Sequence, residues 1–392
     1  MVSFRKEMIP YSRQHISNDD IESVVEVLKS DLITQGAYLT LFEDRVKEYC
    51  KVDYAVAFNS ATSALHATCL ALGLKRGDFL WTSPNSFVAS ANCALYCDAS
   101  IDFVDIDDRT YNISLEKLKE KLIESSKLGK LPKILVAVHF AGQSCNMKEI
   151  YALSKIYGFS VIEDASHAIG GKYNNFPIGS CKYSDATIFS FHPVKIITTA
   201  EGGMMVTNKD EIAEKTKLIR SHGITREKSK ISSKRYGGWY YEQQLLGFNY
   251  RMNEIQAALG ISQLKRLDEF VIKRHEIRKI YDESLNYEFV KIPFQDSKTY
   301  SSFHLYPVRF NLKQLGLNKK QLYDFFIQNK INVNVHYIPI HTQPFYKKLG
   351  FKYGDFPNSE NYYNEAFSLP IFYDLKVHDQ NHVIQTIDKL RK

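Results

Sequence analysis

The sequence predicts an α/β protein, a large domain with a mostly parallel sheet flanked by helices plus a smaller α+β C-terminal domain. Three observations carry this. Strand-like and helix-like patterns alternate over the first two-thirds of the 392 residues. Chemistry-bearing residues recur just after the strand-like runs, where open sheets of this kind bind ligands. After about residue 250 the alternation gives way to a long helical pattern and short strand-like runs. The length suits two domains, divided at 12–250 and 251–392, with residues 1–11 packing on the second.

The elements follow from local pattern. Ile21, Val24, Val25 and Leu28 recur at helical spacing. Thr40 with Glu43 reads as a capping box that opens a second helix toward Tyr49. A strand over 54–58 turns through Asn59–Ser63 into a helix that ends near Gly73, a glycine suited to a C-cap. Further strands are expected at 79–82, 101–106, 133–140, 159–163, 186–191 and 203–206. Helices are expected up to about Cys97, from Ser114 and over 146–157. Beyond residue 250 the pattern predicts one long amphipathic helix from Asn253 past Arg278, strand-like runs at 303–306 and 331–337, and helices at 319–328 and the C-terminus.

Composition bounds the function. Hydrophobic content of 44% and charged content of 24% are ordinary for a soluble globular protein. No run of about 18 apolar residues predicts a membrane span, and the first residues show no secretory h-region. The six cysteines lack metal-ligand spacing and read as free thiols of a cytoplasmic protein, with no metal implied. The net charge of +7 suits an anionic cofactor and substrate. The lysines are scattered and no nucleic-acid motif is present, which argues against a nucleic-acid partner. The basic, aromatic stretch from Arg226 to Tyr241 reads either as an anion-binding lid or as a solvated connection; the second is favoured.

Lys195 is the most informative residue. It sits in FSFHPVKIITTAEGG (189–203), an apolar segment closed by two glycines. Burial disfavours the charged form of a lysine, and a neutral lysine can form a Schiff base with a carbonyl compound. Upstream, VIEDASH (161–167) is a strand-like run ending in Asp164. An acid at that place is what pyridoxal 5'-phosphate (PLP) needs to keep its pyridine nitrogen protonated; a helix N-cap is the plainer reading of the same aspartate. Glu163 should face the other side of the strand. His167 either meets the cofactor's ring oxygen or is structural. Ser60, Thr62 and Ser63 open a helix directly after a strand, a ready anion site for a phosphate, and Ser190 is a second candidate ligand. Phe87 follows another strand and could stack on a planar ring, although core packing is the commoner fate of a phenylalanine.

These segments resemble the DegT-type nucleotide-sugar aminotransferases. The resemblance rests on NSATSAL (59–65), EDASHA (163–168), SFHPVK (190–195), TTAEGG (198–203), RSHG (220–223), GFNYRMNE (247–254) and HYIP (336–339), which occur in family order over nearly the whole chain. Within that family the likeness is greatest to the aminotransferases of pseudaminic acid biosynthesis. The resemblance implies PLP fold type I and a homodimer with two shared active sites. It assigns Lys195 to covalent attachment of PLP, Asp164 to the ring nitrogen and His167 to the ring's other substituents. Phe87 would stack on the ring. Thr62, Ser63 and Ser190 would hold the phosphate, with Asn249 reaching it from the partner subunit. Thr34, Gln35, Arg251, His336 and Tyr337 are implied near the nucleotide-sugar. The implied reaction moves an amino group from L-glutamate to C4 of a UDP-linked 4-keto-6-deoxy-N-acetylhexosamine.

Two departures stand out. Ile196-Ile197 follows the lysine where close relatives often carry a proline, and the Arg226–Tyr241 stretch is longer than in some relatives. Some related enzymes carry histidine in place of the lysine and dehydrate their substrate; Lys195 implies transamination instead. The alternatives are a C3, perosamine-type or bacillosamine-type aminotransferase, or a non-catalytic PLP-binding protein of the same fold.

Overall fold

The computed structural model describes residues 7–232 and 237–391. Residues 1–6 of the N-terminal segment and Lys234 and Arg235 of the basic stretch lie outside the described residues. A seven-stranded sheet forms the centre. Its first five strands in chain order are β1 (Tyr54–Phe58), β2 (Phe79–Thr82), β3 (Ser100–Phe103), β4 (Ile134–Val138) and β5 (Ser160–Asp164), followed by Ala186–Ser190 and Gly203–Thr207. Across the sheet the order is β1, Gly203–Thr207, Ala186–Ser190, β5, β4, β2, β3. Strands from Ala186–Ser190 through β3 pair in parallel. Gly203–Thr207 runs antiparallel to both its neighbours.

That topology gathers the site. The C-terminal ends of β1, β2, β5 and Ala186–Ser190 and the first residue of Gly203–Thr207 share one edge, where Gly203 is opposite both Phe58 and Ser190. The inner strands are buried on both faces, as their continuous apolar runs require. One face packs on helices α3 (Ala61–Ala71) and α4 (Ala89–Tyr96) through Leu65, Ala91 and Ile188. The other packs Phe42, Phe189 and Phe191 together. No helix among the described residues is long and apolar enough to cross a membrane.

A smaller antiparallel sheet of Val290–Lys291, Tyr306–Phe310 and Ala366–Leu369 anchors the C-terminal part. Its apolar cluster includes Ile9, whose backbone pairs with Lys330 and Asn332. The cluster beneath the large sheet runs past residue 251, since Ala257, Leu267, Phe270 and Val271 belong to it.

Several expectations need correction. The second helix in the chain, α2 (Ala37–Cys50), starts three residues before Thr40, with Gly36 as N-cap and no side-chain cap. Glu43 instead accepts from the Ala57 amide at 2.8 Å and from Arg220 at 2.5 Å. The long helix is two helices, Glu254–Leu264 and Leu267–Ser284. It breaks at Arg266, whose backbone is non-helical and whose guanidinium lies over Phe270 at 4.8 Å. The 331–337 run forms no strand; single bridges at Ile331 and Asn334 take its place. Of the 303–306 run only Tyr306 enters a strand. The strand expected at 101–106 stops at Phe103.

Candidate active site

A cavity of about 310 Å³ opens at the shared strand edge. Lys195 reaches it from the loop after Ala186–Ser190, where its amide donates to the His192 carbonyl at 2.9 Å. Burial lowers the Lys195 pKa to about 8, against the opposing pull of the Asp164 carboxylate. A large share of this amine is therefore neutral near pH 8, as nucleophilic attack on a carbonyl requires.

Asp164 ends β5 and is buried. Its Oδ2 accepts from Ser90 Oγ at 2.6 Å and its Oδ1 from the Ser166 amide at 3.1 Å. Glu163 faces the opposite side, as strand alternation demands. There it accepts from His139 Nε2 at 2.6 Å and Ser184 Oγ at 2.5 Å.

His167 is held between two groups. Its Nδ1 accepts from the Ala141 amide at 3.3 Å and its Nε2 lies 2.9 Å from the Tyr337 hydroxyl. Burial, then the Lys195 charge and the neighbouring His336, hold its pKa well below the ordinary value. His336 is pushed down to about 3 by burial and Lys195, and its Nδ1 lies 2.8 Å from Ser368 Oγ. Both imidazoles are neutral at pH 7.

The N-terminus of α3 forms another wall. Ser60 is its N-cap and accepts from the Ser63 amide at 3.1 Å. The first amides of a helix have no intrahelical partner and favour an anion. Ser60, Ala61, Thr62 and Ser190 all line the cavity. Gly203 permits the approach, because a Cβ there would stand 2.3 Å from the Ala61 amide nitrogen. Phe87 is 59% exposed at the cavity, so it is not a core residue despite its apolar character.

The structure thus brings Lys195, Asp164, His167, Thr62, Ser190, Phe87, His336 and Tyr337 to one cavity. Ser63 is different: it does not line the cavity, and its hydroxyl lies 2.5 Å from Asn59 Oδ1 and 2.7 Å from Ser60 Oγ. Thr34, Gln35, Asn249 and Arg251 do not line the cavity of this chain. Sequence reasoning missed Tyr11, Ser86, Ser90 and His304. No local signal marks them, since they arrive from the N-terminal segment, the turn after β2, α4 and the C-terminal part.

The residues fit PLP. They supply a desolvated amine, a buried carboxylate held by two donors, a helix N-terminus for a phosphate and an aromatic face beside them. Fold and site together define a PLP-dependent aminotransferase. The chain belongs to the DegT/DnrJ/EryC1/StrS aminotransferase family, which it matches over residues 14–388, and it is similar to the PLP form of a putative sugar aminotransferase of Streptococcus pneumoniae, with a TM-score of 0.86 at 25% identity over 98% of each chain. It is 39% identical to the UDP-4-amino-4,6-dideoxy-N-acetyl-beta-L-altrosamine transaminase of Campylobacter jejuni, over 97% of this chain and 96% of that protein. It is also 39% identical to an uncharacterised protein of Methanocaldococcus jannaschii, over 98% of each. Its fold superposes on Helicobacter pylori PseC, an aminotransferase of pseudaminic acid biosynthesis, with a TM-score of 0.89 at 34% identity over 98% of this chain and 99% of that one.

Proposed function

We propose that this enzyme transfers the amino group of L-glutamate to C4 of a UDP-linked 4-keto-6-deoxy-N-acetylhexosamine, the reaction type of pseudaminic acid synthesis. The observation that carries aminotransfer is the pairing in one cavity of a lysine whose pKa falls to about 8 with the buried Asp164. The likeness to the altrosamine transaminase supports the sugar.

PLP, when bound, supplies an electron sink for the bond-making at carbon. Lys195 would hold the cofactor through its Nζ, which burial keeps largely neutral near pH 8. The same Nζ would serve as the base for the glutamate Cα proton and as the acid that protonates sugar C4. Asp164 keeps the pyridine nitrogen protonated. His167 would meet the ring's other substituents, and Phe87 would cover one ring face. Ser60, Thr62 and Ser190 hold the phosphate, with Ser63 fixing the turn that carries them.

A homodimer with shared sites belongs to the same reading. Among the described residues lining the cavity, Lys195 is the one lysine or arginine. A dicarboxylate donor and a nucleoside diphosphate need further cations. A second copy would bring Asn249 and Arg251, with Thr34 and Gln35, to the mouth, while His336 and Tyr337 face the sugar from this chain. The reading divides the chain into a PLP-binding part, 12–250, and a C-terminal part, 251–392.

The test is incubation of the purified protein with ¹⁵N-glutamate and the UDP-4-keto sugar, followed by NMR of the product. Label on C4 is expected. Label on C3, or transfer only to a keto-sugar on another nucleotide, would overturn the proposed substrate. A yellow protein whose spectrum ignores glutamate would overturn the donor.

A further inference from the structure

We propose that Ser90 is a positioning residue for Asp164, a role that rests on the PLP aminotransferase reading above. Ser90 is the second residue of α4 and is fully buried. Its hydroxyl donates to Asp164 Oδ2 at 2.6 Å, while Ser86 Oγ lies 2.8 Å away on its other side. A hydroxyl has one proton to give. Ser90 spends it on the carboxylate, so Ser86 must donate to Ser90. The result is a directed chain, Ser86 to Ser90 to Asp164, starting at the cavity wall, where Ser86 keeps only lone pairs for whatever enters.

Two donors from different elements therefore fix the carboxylate. Ser90 comes from the helix after β2, and the Ser166 amide from the turn after β5. Hydrogen bonds to a carboxylate favour its anionic form, and an anion is what holds a proton on the facing pyridine nitrogen. Removal of Ser90 leaves Oδ2 buried without this donor. The carboxylate then keeps only the Ser166 amide and gains freedom to turn, which weakens its hold on the ring.

The experiment is a double-mutant cycle of wild type, Ser90→Ala, Asp164→Asn and the double variant. Each is read by PLP affinity in a fluorescence titration, the pH dependence of the visible band, and kcat and KM. Ser90→Ala is expected to weaken PLP binding and lower kcat, each about tenfold, the size of one hydrogen bond to a charged group. KM for the sugar should stay within about twofold, and the visible band should titrate at a shifted pH. In the Asp164→Asn background Ser90→Ala should add less than about twofold. Ser90→Cys, which keeps a weak donor, should fall between wild type and alanine. Wild-type spectra and kcat in Ser90→Ala would overturn the proposal, as would a loss that persists undiminished in the Asp164→Asn background. Borohydride fixation of PLP on wild-type Lys195, read by peptide mass, separates the parent reading: without it both fail, and with it only the role of Ser90 is at stake.

Discussion

His167 donates to Tyr337 across 2.9 Å, and that direction is fixed by the other side of the ring. Nδ1 receives the Ala141 amide at 3.3 Å, and burial beside Lys195 keeps the imidazole neutral, so the ring's one proton sits on Nε2. Tyr337 therefore accepts with its lone pair and keeps its own proton for the cavity it lines. This bond ties the turn after β5 to a residue of the C-terminal part.

Tyr337→Phe removes both functions of that hydroxyl. The variant should still fix PLP on Lys195, because neither Lys195 nor Asp164 bonds to Tyr337. Its kcat/KM for the sugar should fall about tenfold, the cost of one buried donor left unpaired. Steady-state kinetics with a borohydride control checks this; unchanged kcat/KM would remove Tyr337 from the site.

Lys195 should betray its low pKa in the PLP-free protein. Amine acylation followed by peptide mapping is expected to show a midpoint near pH 8 for Lys195, against 10.5 for an ordinary lysine. Lys319, whose pKa burial lowers to about 7, should label early as well. Added PLP should protect Lys195 and leave Lys319 reactive, since Lys319 bonds instead to the carbonyls of Tyr363 and Ala366. The stability sign follows from linkage. Between about pH 8 and 10.5 the unfolded chain binds more protons at Lys195 than the folded one does, so folding stability gains with rising pH there. The thermal midpoint of the PLP-free protein minus that of Lys195→Met should rise across this window.

Much of this was legible in the chain, for identifiable reasons. The buried strands are continuous apolar runs, and the site residues at their ends sit within a few positions of them: Asp164 closes β5 and Ser190 closes Ala186–Ser190. Local spacing carries such placement. It carries nothing about Ser90, which meets Asp164 only because β2 and β5 flank β4. Tyr11 and His304 reach the cavity by tertiary packing in the same way. The false capping box at Thr40 shows the converse failure: Glu43, the partner the local signal needs, goes to the distant Ala57 amide and Arg220 instead.

Gly203 should tolerate no side chain. A Cβ there would meet the Ala61 amide nitrogen at 2.3 Å and the Ser60 carbonyl carbon at 2.5 Å, both rigid backbone. Gly203→Ala must push back the turn that opens α3, the proposed phosphate seat. PLP affinity is expected to drop more than tenfold, with overpacking costing about 1–3 kcal/mol of stability. Equilibrium dialysis against PLP and thermal unfolding read the two effects separately. Wild-type affinity in this variant would show that the turn does not hold the phosphate.

Glu254 starts α2 from outside it. Its Oε2 accepts from the Tyr38 amide at 2.6 Å and the Leu39 amide at 3.3 Å, the first free donors of a helix whose own N-cap is Gly36. Glu254 is fully buried, and its own amide donates to the Ile33 carbonyl at 3.1 Å, so it clasps the 33–39 segment from both sides. A Cβ on Gly36 would sit 2.9 Å from Oε2, which explains why this N-cap has no side chain. Glu254→Ala leaves the part-buried Tyr38 amide and the buried Leu39 amide without their acceptor, a loss of about 2–4 kcal/mol. Glu254→Gln keeps an acceptor and should lose about 1 kcal/mol. Because the clasp carries Thr34 and Gln35, which the proposed dimer would bring to the nucleotide-sugar, the alanine variant should also raise KM for that substrate while PLP still attaches to Lys195. Denaturant unfolding and initial-rate kinetics on both variants test this. Equal stability of the alanine and glutamine variants would show that the carboxylate does not cap α2.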